Sequence, residues 1–554
     1  MTDFKKSCIY QIYPKSFKDS NKDGFGDIKG ITEKLDYLKE LGIDYIWSTP
    51  FFLSPGKDNG YDIADYRKID PKYGTMEDLE ELIAESGKRE IAIILDMVFN
   101  HTSTEHDWFQ KAMDGDLYYK DFYIFKEGRA ENSYPTNWKS KFGESAWEYV
   151  PRYSEYYLHL FDQTEADLNW DNPNVRAELK AIINFWREKG IKGFRFDVIN
   201  LISKPVIFVD DEKGDGRNLY SDGPKIHEYL KELVRDCRLY ENDILTIAEL
   251  TPTSLENSIL YSDPAQKELS MSFNFHHLKV DYKNQNKWEI QDCDFESLKN
   301  ILHQWQVGTE KGNGWNTYFW CNHDQPRIVS RFGDDKNYHR ESAKMLATMI
   351  HLLRGTPCIY QGEEIGMTNA YFEDKSEYRD EESLEYFNIL QGEGRSKMAI
   401  YHVLKERSRD NARTPMQWDH SQYAGFSETT PWISLAANYK EINVENSFRD
   451  ENSILSYYKK LIELRKKYDV ISYGAYQPLL ESHKSVFAYE RRYQEHSLIV
   501  LCNFYGKETR VNLEGISLEG MKCLISNYGS RLLEYEMILK PYEAVVFIDL
   551  TVIM

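Results

Sequence analysis

Two hydrophobic periodicities alternate along most of the chain. Short apolar runs rich in Ile, Val, Phe and Tyr stand at 8–14 (CIYQIYP), 45–50 (YIWSTP), 91–98 (IAIILDMV), 193–199 (GFRFDVI), 244–250 (ILTIAEL), 269–275 (LSMSFNF), 318–324 (YFWCNHD) and 356–364 (TPCIYQGEE). Between them lie stretches with apolar residues three and four apart, such as ITEKLDYLKELG, MEDLEELIAESGKR, VRAELKAIINFWREKG, PKIHEYLKELVRDCR, FESLKNILHQWQ and ESAKMLATMIHLLRG. The runs read as strands and the stretches as amphipathic helices. Strand and helix in alternation imply a parallel sheet, and eight such strands predict an α/β chain built on a closed (β/α)8 TIM barrel.

The pattern breaks twice. Residues 99–170 are rich in Trp, Tyr and Gly with weak periodicity, and they are far longer than the loops that join successive βα units. They predict a small inserted domain after the third strand. The helical stretch SILSYYKKLIELRKKY follows the eighth strand, and beyond 475 the helical period gives way to SVFAYERR, SLIVLCNFYG and EAVVFIDL with turn residues between them. This end predicts a C-terminal antiparallel β-sandwich. The expected division is a barrel over 1–98 and 171–474, an insert over 99–170 and a β domain over 475–554.

Composition narrows the function. With 69 Lys and Arg against 90 Asp and Glu the formal charge is −21, and a nucleic-acid surface needs the opposite sign. Aromatic residues make up 14% of the chain, with 40 Tyr and 12 Trp, enough to line a sugar pocket as well as to fill a core. Seven scattered cysteines without CxxC spacing read as reduced thiols. The N-terminal residues lack an apolar signal core, and no run of about 18 uncharged apolar residues could insert in a membrane. A cytoplasmic location is expected.

In such a barrel, chemistry collects where strands end at the C-terminal face. Asp96, with Asn100 and His101, follows the third run; Arg195 and Asp197 close the fourth, Glu249 the fifth, and His323 with Asp324 the seventh. A single carboxyl at a strand end is often only a helix cap, and several can be structural ion pairs. Their environments also fit two roles. Arg195 and Asp197 project to one face, and a guanidinium beside a carboxyl favours its ionised form, suited to a nucleophile. Glu249 has apolar neighbours and no local cation, so desolvation is expected to keep it protonated, suited to a general acid. Asp324 is a third carboxylate able to stabilise oxocarbenium-like charge.

Those residues carry a resemblance. DMVFNH (96–101), GFRFDVI (193–199), AEL around Glu249 and NHDQ (322–325), with ADLN (166–169), resemble in order and spacing the signature regions of the α-amylase-type glycoside hydrolases. The segment before Glu249 reads TIA where VG is commoner in that family. The resemblance implies a retaining glycosidase with Asp197 as nucleophile, Glu249 as acid/base and Asp324 as transition-state stabiliser. It further implies that Asp62 in NGYDIADY, His101, Arg195, His323 and Arg413 in RDNARTPMQW hold a glucosyl ring. QIYPKSF, GFRFDVINLISK, IYQGEEIGMTN and RDNARTPMQWD are similar to the oligo-1,6-glucosidase branch.

Within that branch, GWNTYFWCNHDQPRIVSRFGDD (314–335), GDGRNLYSDGP (214–224) and SFNFHHLKVDY (272–282) resemble the trehalose-6-phosphate hydrolases. That likeness implies cleavage of a small phosphorylated disaccharide, trehalose 6-phosphate, to glucose and glucose 6-phosphate. Oligo-1,6-glucosidases usually carry acidic residues where this chain has His276, His277 and Lys279. A phosphate needs cations, whose charge-assisted bonds are about twice as strong as neutral ones; Lys279 leads the candidates, followed by His276, His277 and Lys287. Three alternatives stay open: HHLK as a solvated loop, a glucosidase for unphosphorylated oligosaccharides, and a barrel-containing binding protein without chemistry.

The segment DSNKDGFGD spaces Asp19, Asn21, Asp23 and Asp27 with glycines between, much as an EF-hand loop spaces oxygen ligands, although the twelfth-position Glu is missing. Resemblance to the oligo-1,6-glucosidases implies a structural Ca²⁺ or Mg²⁺ here, with the Phe25 carbonyl as a further ligand. Asx-rich turns without metal are the alternative. No cofactor is expected for catalysis.

Overall fold

A computed structural model of the chain describes residues 3–130, 133–141, 143–241 and 243–549; residues 550–554 of the expected β domain, and 131, 132 and 142 of the expected insert, lie outside the described residues. All eight expected strands form. They are β1 (Ile9–Ile12), β2 (Tyr45–Ser48), β3 (Ala92–Val98), β4 (Gly193–Asp197), β5 (Leu245–Glu249), β6 (Met271–Phe273), β7 (Thr317–Tyr318) and β8 (Thr356–Tyr360). Neighbours run β6-β5-β4-β3-β2-β1-β8-β7 in one sheet, and β1 with β8, β3 with β4, β4 with β5, β5 with β6 and β7 with β8 pair in parallel. This consecutive order is that of a (β/α)8 barrel.

The seventh strand differs from expectation. It ends at Tyr318, so His323 and Asp324 stand in the loop beyond it rather than at its close. Pairing stops at Tyr318, and farther along the loop the Asn322 side chain accepts the Asp324 amide at 2.8 Å in an Asx turn.

By contacts the chain divides into two compact units, one of 1–46, 276–311 and 316–554, the other of 47–275 and 312–315. In the second unit, β3 and β4 pair with Arg195 opposite Asp96, and β5 follows with Ile247 opposite Arg195. Every residue of β4 and β5 is buried, the two-sided burial that makes parallel strands read as near-continuous apolar runs. Helix Pro173–Glu188 precedes β4. Asn172 caps it, a proline opens it, and it buries Val175, Leu179, Ile182, Ile183 and Trp186 at helical spacing.

Between β3 and that helix the chain forms a three-stranded antiparallel sheet (Phe125–Glu127, Glu155–Leu158, Trp147–Val150) and a two-stranded one (His101–Ser103 with Glu165–Asp167). Their core contains Trp138, Trp147, Tyr156 and Leu158, packed with Val198, Leu201 and Tyr220. The GDGRNLYSDGP segment serves this packing. Gly216 has φ +79°, and a Cβ there would meet the Trp138 ring at 2.6 Å, so glycine alone fits.

In the first unit, Ala475–Leu479, Val486–Tyr493, His496–Asn503, Ala544–Asp549 and Lys522–Ser526 form a five-stranded sheet, and Thr509–Asn512 pairs with Glu536–Leu539. Val486, Ile499, Leu501 and Phe547 of one sheet and Val511, Met537 and Leu539 of the other share a core, the packing of a sandwich. All seven cysteines are free. Among the described residues, no helix is long and apolar enough to cross a membrane.

Candidate active site

The second unit gathers its charged residues around one buried guanidinium. Nη1 of Arg195 donates to Asp96 Oδ1 and to Asp197 Oδ1, each at 2.6 Å, and Nη2 lies 2.7 Å from Glu249 Oε2. Parallel register dictates this meeting, because Arg195 stands beside Asp96 on β3 and two residues before Asp197 on its own strand. Trp47 Nε1 and the Tyr61 hydroxyl hold the other oxygen of Asp96 at 3.1 and 3.0 Å. Val198 follows Asp197 with φ +36°, a costly conformation for a β-branched residue, and its amide donates to Glu249 Oε2 at 3.0 Å.

Two expectations are corrected here. Glu249 does have a cation, Arg195, supplied by the neighbouring strand rather than by its own segment. Asp197 was expected to be readily ionised. Instead burial pushes its carboxyl well above the ordinary range; Arg195 opposes this, while the carboxylates of Glu249 and Asp96 and a hydrogen bond with Glu249 add to it. Three carboxyls face one guanidinium, and at Asp197 burial and the repulsion between carboxylates win over its attraction. Burial likewise raises Asp96 to about 6, against the pull of Arg195. The Asp197 and Glu249 carboxyls share one guanidinium and hydrogen-bond to each other, which leaves no room between them for the water that an inverting enzyme holds.

Asp62 and His101 lie in the same unit. Asp62 is buried and accepts from Ser54 Oγ and Lys57 N at 2.8 Å and from Asp58 N at 3.1 Å. His101 Nε2 is 3.4 Å from Glu165 Oε1. Burial alone would lower its pKa, but the carboxylates of Glu165, Asp167 and Asp58 raise it.

The first unit gathers a second cluster. Asp324 Oδ1 takes Arg413 Nη2 at 2.7 Å and Arg409 Nη1 at 3.3 Å, and Oδ2 is 3.2 Å from His323 Nε2. The other ring nitrogen of His323 lies 2.8 Å from Gln11 Nε2, and Tyr13 stacks on the ring. Burial pushes the Asp324 carboxyl up, but His323, Arg409, Arg413 and Lys287 outweigh it and hold it far below the usual range. Its side chain keeps 37% exposure against 11% for Asp197 and Glu249, so it is the open member of the three.

The proposed phosphate ligands separate. Lys279 is exposed, on a segment anchored by Asp281, whose carboxylate is clamped between Arg331 and Arg407. Lys287 Nζ pairs with Glu382 Oε2 at 2.7 Å. His276 is half-buried with its ring 5.0 Å from that of Trp305. His277 does not fit the expectation: it is buried against Phe319 and Trp320, with Nε2 2.8 Å from the Phe319 carbonyl. Desolvation lowers its pKa to about 4, so at neutral pH it offers a phosphate no charge.

In the 19–27 loop, Asp19 accepts from Lys22 N at 2.6 Å and Gly24 N at 2.9 Å, Asp23 from Phe25 N at 2.8 Å, and Asn21 from Asp23 N at 3.0 Å. Asp27 caps helix Ile28–Glu33 through Gly30 N. Among the described residues no three His, Cys, Asp or Glu side chains cluster as a metal site. The loop oxygens fit a hard cation in chemistry, since a carboxylate oxygen that accepts one amide keeps a second lone pair.

A profile described as the α-amylase catalytic domain matches residues 11–474. The chain belongs to the α-amylase family of glycoside hydrolases. The C-terminal domain profile of the α-amylase SusG matches residues 486–546. Among the family's curated members, the trehalose-6-phosphate hydrolase of Bacillus subtilis is 50% identical over 548 residues, 98% of each chain. The oligo-1,6-glucosidase of Bacillus cereus is 48% identical over 553 residues, 98% of this chain and 99% of its own. The crystal structure of the Bacillus licheniformis trehalose-6-phosphate hydrolase superposes with a TM-score of 0.95 at 53% identity, covering 98% of this chain and 99% of that one.

For this α-amylase-family chain the sequence reading missed Arg409, Gln11 and Asp380. Arg409 was within reach, because it precedes the turn Asp410–Arg413 in the motif that named Arg413, one helical turn away. Gln11 opens the quoted motif QIYPKSF and was equally within reach, whereas Asp380 carries no local signal.

Proposed function

We propose that the chain is a retaining α-glucosidase-type enzyme that cleaves trehalose 6-phosphate to glucose and glucose 6-phosphate. Asp197 attacks the anomeric carbon while Glu249 protonates the departing oxygen, and water then resolves the glycosyl-enzyme as Glu249 takes its proton back. The meeting of the two carboxyls at the Arg195 guanidinium, with a hydrogen bond between them, supports this pairing of roles. Asp324, held ionised by its arginines, stabilises the oxocarbenium-like charge. Asp62, His101, Arg195, His323 and Arg413 hold the glucosyl ring.

The observation that carries the substrate is the likeness to two trehalose-6-phosphate hydrolases, at 50% and 53% identity over 98% of the chain. An oligo-1,6-glucosidase at 48% stands close behind, so the cations decide. Lys279 is exposed on its anchored segment, and Lys287 lies within electrostatic reach of Asp324; both suit a phosphate on the leaving sugar, and half-buried His276 is a further candidate. An anionic disaccharide does not diffuse through a bilayer, which favours a cytoplasmic address. The 19–27 loop is assigned a structural divalent cation. Hydrolysis of trehalose 6-phosphate, trehalose and isomaltose at equal concentration tests the reading. Trehalose 6-phosphate is expected to be fastest, with Lys279→Ala costing about 10- to 100-fold in kcat/KM on it, the scale of a hydrogen bond to a charged group. A preference for isomaltose overturns the phosphate.

A further inference from the structure

Behind Asp324 stands a carboxylate that no part of the catalytic scheme uses. Asp380 has a fully enclosed side chain, and its Oδ1 accepts from Arg409 Nε at 2.8 Å and Nη2 at 2.7 Å and from Arg413 Nη1 at 3.4 Å. The same two guanidiniums reach Asp324 with their remaining nitrogens, at 3.3 and 2.7 Å. Two arginines side by side repel one another, and each lies between an open carboxylate and a closed one.

Asp380 is itself fixed from behind. Its Oδ2 accepts from the Ser383 amide at 3.0 Å and hydroxyl at 2.7 Å, capping helix Glu381–Gly392. Its backbone amide donates to Asp410 Oδ2 at 3.0 Å. An ion pair serving only the fold would not need both arginines to be shared with the most open carboxylate of the site.

We infer that Asp380 is a positioning residue for glycoside hydrolysis: it aims Arg409 and Arg413 at Asp324 and thereby sets the orientation of that carboxylate toward the reacting sugar. The inference rests on the glycosidase reading but not on the phosphate. Burial opposes the charge of Asp380, while Arg409, Arg413 and Lys287 outweigh it and keep the carboxylate ionised.

The test uses an aryl α-glucoside, p-nitrophenyl α-D-glucopyranoside, so that phosphate recognition plays no part. Asp380→Asn keeps a side chain able to cap the helix but offers one acceptor oxygen where two are in use. It is expected to lower kcat/KM about 10- to 100-fold, the usual scale for a partner that orients a functional group, with most of the loss in kcat. Arg409→Ala is expected to lower kcat/KM as well, and the double variant to fall within about 3-fold of the weaker single, since residues acting as one unit are not additive. A thermal midpoint measured on each variant separates this from unfolding, which would not produce the non-additive kinetic pattern. Independent, multiplicative losses overturn the inference, as does Asp380→Asn within about 3-fold of wild type. Should Asp380→Asn not fold, Asp380→Glu is read instead: it keeps charge and cap but moves the oxygens, a loss of about 10-fold is expected, and unchanged kinetics overturn the inference. Wild-type inertness on this glucoside would instead overturn the glycosidase reading, and the inference with it.

Discussion

Arg195→Met removes the one cation shared by three buried carboxyls while keeping roughly the same volume. The guanidinium nitrogens lie 2.6–2.7 Å from oxygens of Asp96, Asp197 and Glu249, so the charge centres are about 4 Å apart. At an effective dielectric of about 20 each such attraction is worth ~4 kcal/mol, or about 3 pKa units at 1.36 kcal/mol each. The carboxyls also repel one another, so part of this is recovered as protons bind, and a net rise of about 2 to 3 units at Asp197 is expected. Arg195 works to lower the pKa of Asp197; without it the nucleophile is protonated at higher pH. The acid limb of kcat/KM reports the free enzyme's essential base. In wild type that limb is expected above the usual range for a carboxylate near 4, because burial has already raised Asp197. In Arg195→Met it moves a further 2 to 3 units upward, and kcat/KM at pH 6 falls about 100- to 1000-fold. The assay is a pH series of kcat/KM on p-nitrophenyl α-D-glucopyranoside, with circular dichroism confirming the fold. An acid limb that stays in place, whatever the loss in rate, would refute the electrostatic argument.

Asp281→Ala leaves Arg331 and Arg407 as unpaired charges, all three side chains being at most 5% exposed, and is expected to cost about 3–5 kcal/mol, read as faster irreversible thermal inactivation. The arginines hold the pKa of Asp281 below its ordinary value. The stability it contributes is therefore present above the unfolded value near 3.9 and lost as pH falls through the folded one; inactivation of wild type should accelerate there, and that of Asp281→Ala should not show this component. His277→Gln keeps an amide donor for the Phe319 carbonyl, so the ratio of kcat/KM for trehalose 6-phosphate over p-nitrophenyl glucoside is expected to stay within about 3-fold, whereas Lys279→Ala lowers it. A chelator should lower the thermal midpoint if the 19–27 loop holds its cation, since an ion bound only by the folded state stabilises it by mass action; an unchanged midpoint removes the assignment.

The barrel was legible because its strands are buried on both faces and bounded by amphipathic helices, a pattern that needs no knowledge of partners. β7 was misjudged at its end because Phe319, Trp320 and Cys321 continue the apolar run past Tyr318, where pairing stops. The carboxylates at 197, 249 and 324 were legible as residues but not as an electrostatic system. Glu249 lacks a cation in its own segment, and only parallel register brings Arg195 to it. His277 looked like a phosphate ligand because sequence shows a basic doublet and not which member of it is buried. Asp380 could not be found at all: the segment between β8 and helix Ile454–Lys467 carries no strand or barrel period, and the importance of Asp380 comes only from its meeting with Arg409 and Arg413.

The claim that Asp197 and Glu249 act by double displacement is tested most directly by the anomer first released. Proton NMR of the reaction on trehalose 6-phosphate, begun within seconds of mixing and before mutarotation, is predicted to show α-glucose appearing first and β-glucose growing only at the rate of mutarotation. β-Glucose as the initial product would contradict the account, because it would require a water between the two carboxyls in place of a glycosyl bond to Asp197.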